Sequence, residues 1–83
     1  MQPFVGEIRL FSYKNVPSGW AACDGSVLLI SENTVLFQLI GSAFGGDGQL
    51  TFAVPDLRSH MPFSPDQGGT YCIAVLGLFP KQS

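Results

Sequence analysis

Gly41-Ser42-Ala43-Phe44-Gly45-Gly46-Asp47-Gly48-Gln49-Leu50-Thr51-Phe52 packs four of the chain's ten glycines into eight residues. A phosphate cradle of the P-loop kind needs a lysine and a hydroxyl residue after its glycines and a helix behind them. Here no lysine follows, and the helical pattern comes first. A calcium loop needs spaced oxygen ligands or tandem glycine-aspartate repeats. The stretch offers one acid, Asp47. What remains is conformational: glycine reaches positive φ at little steric cost, so Gly45, Gly46 and Gly48 let the chain reverse tightly after a helix.

That helix is expected just upstream. Ser31 precedes Glu32-Asn33-Thr34-Val35-Leu36-Phe37-Gln38-Leu39-Ile40, so its hydroxyl is placed to cap the free amides, Glu32 faces the positive end of the dipole, and Gly41 is the stop. At about 100° per residue, Val35, Leu36, Phe37, Leu39, Ile40 and Ala43 spread over about 200°, wider than the roughly 100° stripe of a one-sided surface helix. Such a helix is buried on two sides or shared with another subunit.

Strand patterns lie on either side. Residues 50–54 (LTFAV) read as a short strand stopped by Pro55, whose ring also biases Val54 toward an extended backbone. Residues 56–69 are broken by Pro62, Pro65 and Gly68-Gly69 and read as irregular chain. Residues 71–79 (YCIAVLGLF) are apolar on both faces, as in a central strand or one clamped between subunits, and Pro80 ends them. Near the start, residues 5–11 alternate, with Gly6, Ile8 and Leu10 on one side and Glu7 and Arg9 on the other. Pro17 and Gly19 mark a turn. Residues 20–23 (WAAC) and 26–30 (SVLLI) flank Asp24-Gly25, a two-residue hairpin signal, and are expected to pair. The expected fold is α+β: one domain over residues 1–83, with a small antiparallel sheet of short strands, one short helix and glycine-rich loops.

Composition points to partners. Charged residues are 12% of the chain and hydrophobic ones 46%, with a mean hydropathy of +0.29, against about 25% charged in an average soluble domain. So few charges leave apolar patches on a small surface, and such patches mark partner surfaces. An oligomer is expected. Four cations scattered among six acids, net −2, lack the basic stripe that nucleic acid requires. No segment reaches the roughly 18 consecutive apolar residues of a membrane span, and the N-terminus shows no signal-peptide pattern. A chain found outside the cell would get there by lysis, by a dedicated machine, or after losing a leader.

No catalytic constellation emerges. His60 is the single histidine, with no serine, cysteine and acid arranged around it as a nucleophile requires. It makes a metal site only if a three-fold axis gathers three copies; otherwise it is a loop residue. Asp24, Glu32 and Asp56 are separated, with nothing in the sequence to bring two together for acid-base work. Trp20 reads as core rather than as a sugar platform. No cofactor and no enzymatic activity are expected. Cys23 and Cys72 form no paired thiol motif; they are either a candidate disulfide or two buried free thiols.

Taken in order, Gly6-Glu-Ile-Arg-Leu-Phe11, Gly19-Trp20, Cys23-Asp24-Gly25, Leu29-Ile30-Ser31, Asn33-Thr34, Leu36-Phe37, Ile40-Gly41, Phe44-Gly45-Gly46-Asp47-Gly48, Thr51-Phe52 and Pro55-Asp56-Leu57-Arg58 resemble the phage tail collar domain. The same pattern opens the microcystin-dependent proteins of bacteria. The resemblance runs over residues 3–58, and residues 71–80 are similar to the closing strand of those bacterial proteins. It implies a non-enzymatic structural module of phage tail fibres and related appendages, oligomeric and often trimeric, extracellular or on the virion. It also implies that the glycine-rich segment, with Gly45, Gly46, Asp47 and Gly48, and the Pro55-Asp56-Leu57-Arg58 that follows shape the fold and are not catalytic, beside Gly25 of the turn signal above.

Two departures stand out. Where members continue from Pro-Asp-Leu-Arg with Gly-Arg and a long variable region, this chain has Ser59-His60 and reaches the closing strand by residue 70. Cys72 stands where members commonly carry an aliphatic residue. The resemblance to a minimal collar thus supports assembly more than adhesion. The first functional expectation is a subunit that builds an oligomer or filament from copies of itself. Its interface would be Val35, Leu36, Phe37, Leu39 and Ile40 of the helix and Ile73, Val75, Leu76, Leu78 and Phe79 of the closing segment, residues 70–80, whose strand would complete a neighbour's sheet. The second is a collar or adhesin tip whose loop, residues 59–69 with His60 and Phe63, binds a surface glycan or another tail protein.

Overall fold

The computed structural model describes residues 2–11, 15–60 and 69–79, with His60 described in its backbone alone. Its strands are β1 (Ile8–Phe11), β2 (Trp20–Ala22), β3 (Val27–Leu29), β4 (Thr51–Ala53) and β5 (Thr70–Ala74), and its helix is α1 (Thr34–Ile40). Short 3-10 turns occupy Ile30–Glu32 and Arg58–His60. Two antiparallel sheets result, β1-β5-β2 and β3-β4, and the fold is α+β.

β5 is the central strand that its two apolar faces require. Ile73 pairs with Ile8 on one side and Ala21 on the other, and Cys72 with Arg9 and Ala22. Cys72, Ile73 and Ala74 are all buried. Ile73 joins Val5, Cys23, Leu36, Phe52 and Val54 in the core, backed by Phe37, Leu39, Ile40 and Tyr71. Phe37 meets Phe52 edge-on with centroids 5.4 Å apart. Burial of each large apolar side chain contributes about 1.5–3 kcal/mol. On the opposite face of the first sheet, Trp20 is half-buried between the edge-on ring of Phe11, 5.0 Å away, and the Arg9 guanidinium, 5.2 Å from its centroid. Arg9 is itself held by the Glu7 carboxylate.

Several expectations are corrected. β2 and β3 do not form a hairpin; they belong to different sheets. Asp24 Oδ1 accepts the Ser26 N–H, 3.0 Å, and Gly25 takes φ +79, so the turn forms but turns the chain from one sheet into the other. β2 pairs instead with the apolar β5, far off in sequence. Ser31 is not the helix cap: it lies in the 3-10 turn, and α1 starts after Asn33, whose side-chain amide donates back to the Leu29 carbonyl, 3.1 Å. Ile8 stands opposite the buried Ile73 and so on the core face of its sheet, yet remains 45% exposed on the outer strand β1. The closing strand ends at Ala74; Val75, Leu76 and Gly77 bend, and Leu78 forms a lone parallel bridge with Phe4.

Candidate functional site

The glycine-rich stretch is a built structure. Gly45, Gly46 and Gly48 hold φ of +134, +85 and +75, values that side-chain-bearing residues rarely adopt. Gly46 lies flat against β4, where a Cβ would come within 2.4 Å of the Phe52 Cα. Asp47 organises the rest: its Oδ1 accepts the backbone N–H of Gln49, Leu50 and Thr51, each at 2.9 Å. Those three donors hold the carboxyl at about 2, well below the usual carboxylate range. The loop also covers the outer edge of β4. Ala53 donates to the Gly45 carbonyl at 3.1 Å, and Gly48 donates to the Thr51 carbonyl at 2.8 Å. Asp47 Oδ1 is thus engaged by three amides. Among the described residues, no three metal-ligating side chains cluster.

A second junction joins the sheets. Asp24 and Asp56, separate in sequence, meet as a backbone bridge. Gly25 donates to the Pro55 carbonyl, 3.3 Å, and Leu57 to the Cys23 carbonyl, 2.8 Å. Arg58 grips both Asp56 oxygens, Nε at 2.9 Å and Nη2 at 2.7 Å, which raises the Arg58 pKa further. Beside this pair lies an open hollow of about 340 Å³ walled by Cys23, Leu57 and Tyr71, with Asp24 and Arg58 at its rim. Cys23 and Cys72 are buried free thiols. Burial, then the proximity of Cys72 and Asp24, pushes the Cys23 thiol up to about 11; burial raises Cys72 as well. Cys23 is therefore neutral near pH 7 and a poor nucleophile.

The two ends of the described chain lie together. Leu78 donates to the Pro3 carbonyl and Val5 to the Leu78 carbonyl, both at 2.8 Å. Gly77 lies so close that a Cβ would stand 2.1 Å from the Pro3 oxygen. This seam carries four large apolar side chains in solvent: Phe4 (51% exposed), Leu76 (66%), Leu78 (48%) and Phe79 (55%). Polar covering is scarce because the sequence supplies so few charges.

Of the expected interface residues, Leu36 and Ile73 are inside the core, where another subunit cannot reach them without opening the fold. Phe37, Leu39, Ile40 and Val75 are half-buried against that core. Val35, Leu76, Leu78 and Phe79 are exposed. The turn residues Gly25, Gly45, Gly46, Asp47, Gly48, Pro55 and Asp56 all sit at the two junctions described. Phe63 and most of the expected contact loop, residues 61–68, lie outside the described residues, as does the side chain of His60. Phe4, which no periodic pattern singles out, joins the exposed seam only because the parallel bridge brings it to Leu78.

Residues 6–62 match the sequence model of the Phage Tail Collar Domain. No match is found among curated proteins or among solved structures. The matched span contains both junctions and the helix between them, and among the described residues no helix is long and apolar enough to cross a membrane. The family is a structural domain of phage tails, which sets the chain in the company of tail components. On this match, the chain belongs to the phage tail collar domain family.

Proposed function

We propose that this chain is a non-enzymatic structural subunit of a phage tail or a related extracellular appendage, and that it assembles with copies of itself. The observation that carries the reading is the seam at the ends of the described chain, where Phe4 and Leu78 are bridged and Phe4, Leu76, Leu78 and Phe79 are all exposed above a hydrogen-bonded backbone. Exposed apolar surface of this amount on so small a chain favours burial against a partner. The interface expected on α1 contracts to Val35, and the closing segment contributes Leu76, Leu78 and Phe79. Strand donation by β5 gives way in this reading, because β5 already fills the centre of its own sheet.

Light scattering of the purified chain with negative-stain electron microscopy tests the proposal. Regular fibres or discrete oligomers are expected, and Leu76→Lys with Phe79→Lys should dissolve them with the fold intact. A chain that stays monomeric at every concentration would sink the reading.

A further inference from the structure

We propose that the outer edge of β3 docks the same edge of a second copy, joining two β3-β4 sheets into one continuous antiparallel sheet about a two-fold axis at Leu28. The inference rests on the self-assembly reading above and names a contact that reading does not include.

The ladder shows which groups are free. Ser26 accepts from Val54, 3.1 Å, and Ile30 donates to Leu50, 3.0 Å, around the register Val27↔Ala53, Leu28↔Phe52 and Leu29↔Thr51. Antiparallel hydrogen bonding alternates along a strand, so residues 26, 28 and 30 face β4, and Val27 and Leu29 aim their N–H and C=O outward. On β4 the corresponding outward groups belong to Thr51 and Ala53, and the glycine-rich loop engages both N–H groups and the Thr51 carbonyl. Nothing among the described residues engages the N–H groups of Val27 and Leu29. The Leu29 carbonyl takes the Asn33 amide, 3.1 Å, and keeps its second lone pair.

The edge also lacks the features that discourage strand pairing. Val27 is 58% exposed and Leu29 48%. The strand Val27–Leu29 carries no charge, proline or glycine. Open apolar edges of this kind are templates for another strand. A second copy fits because the groups are self-complementary. With Val27 opposite Leu29 of the other copy, each pair exchanges N–H and C=O in both directions, and the two-fold axis repeats the exchange. The first charges along the chain, Asp24 and Glu32, lie beyond the strand and limit pairing to its length.

Leu29→Pro isolates the contact. Leu29 has φ −80, close to what a proline ring imposes, and its N–H points away from β4, the position a sheet tolerates for proline. The experiment is amide hydrogen exchange on the native protein at rising concentration, run beside sedimentation velocity. Protection at Val27 and Leu29 should rise with the associated fraction. Leu29→Pro should weaken association by about ten-fold or more through its two lost bonds, with Leu28 and Ile30 still protected. Val27→Lys, which keeps every backbone donor, should also weaken association and serves if the proline variant does not fold.

Association with both edge amides still exchanging freely overturns the edge contact and leaves self-assembly standing. A chain that never associates overturns both. Protection that appears only when a different tail protein is added overturns the second copy as occupant.

Discussion

A Cβ placed on Gly46 would stand 2.4 Å from the Cα of Phe52 and 2.8 Å from its nitrogen. The glycine-rich loop therefore rests on the backbone of a core strand, and its glycines are sites of contact as well as of turning. Gly46→Ala should destabilise the fold by about 3 kcal/mol or more, combining a left-handed backbone with a forced shift of β4. Gly48→Ala, whose Cβ would meet only the Ser42 side chain, Oγ at 3.4 Å and Cβ at 3.5 Å, should cost about 1–2 kcal/mol. Urea denaturation midpoints of the two variants check the order; equal losses would mean that the close approach to Phe52 contributes nothing.

Asp47 gives the fold an acid dependence of known sign. Its carboxyl sits at about 2 in the folded chain because Thr51, Gln49 and Leu50 donate to it, against about 3.9 when unfolded. A depressed folded pKa contributes stability that is present above the unfolded value and lost as pH falls toward the folded one. Melting temperature should therefore fall between about pH 4 and about pH 2. Asp47→Asn should flatten that fall and lower the melting temperature at neutral pH. Glu7, lowered by its hydrogen bond to Arg9, acts in the same direction, so Glu7→Gln is the control. An unchanged slope in Asp47→Asn would show that the three amides do not set the response.

The expectations that held were those in which local pattern and global burial demand the same thing. Residues 71–79 are apolar on both faces, which a central strand or one clamped between subunits satisfies, and β5 (Thr70–Ala74) lies between β1 and β2. Asp24-Gly25 misled because a turn signal specifies φ at Gly25 and leaves open which strands pair; β5 out-competes β3 for β2 through contacts some fifty residues away in the chain. Ser31, Glu32, Asn33 and Thr34 are all plausible helix-start residues, so the intervening 3-10 turn was invisible to side-chain type. The carboxylate hub at Asp47 was legible as a turn and not as a network, since its partners are backbone amides that carry no side-chain signature.

Both thiols should be nearly inert in the native state. Burial removes reagent access to Cys23 and Cys72 and keeps the Cys23 thiolate scarce, with its pKa at about 11. Reaction with dithiobis-nitrobenzoate should proceed at the rate of unfolding and reach two thiols per chain in denaturant. Fewer than two in the denatured chain, recovered after reduction, would establish a disulfide instead.

Removal of residues 70–83 is the obvious test of a terminal strand used for assembly, and the structure shows what it would measure. Among the described residues the backbone ladders of β1 and β2 run only to β5, with Trp20 of β2 packed on Phe11 and Arg9 of β1 across it, and Ile73 of β5 is part of the core. The truncated chain should lose its cooperative transition altogether, so its failure to assemble would say nothing about interfaces. Ile73→Ala is the graded version and should cost about 2–5 kcal/mol. Leu76→Lys and Phe79→Lys, at exposed positions beyond β5, should shift the unfolding midpoint by no more than about 0.5 kcal/mol and act on assembly instead. Circular dichroism melts and light scattering on the same samples separate the effects. A truncated chain that still melts cooperatively would mean β5 is not the strand that holds the first sheet together.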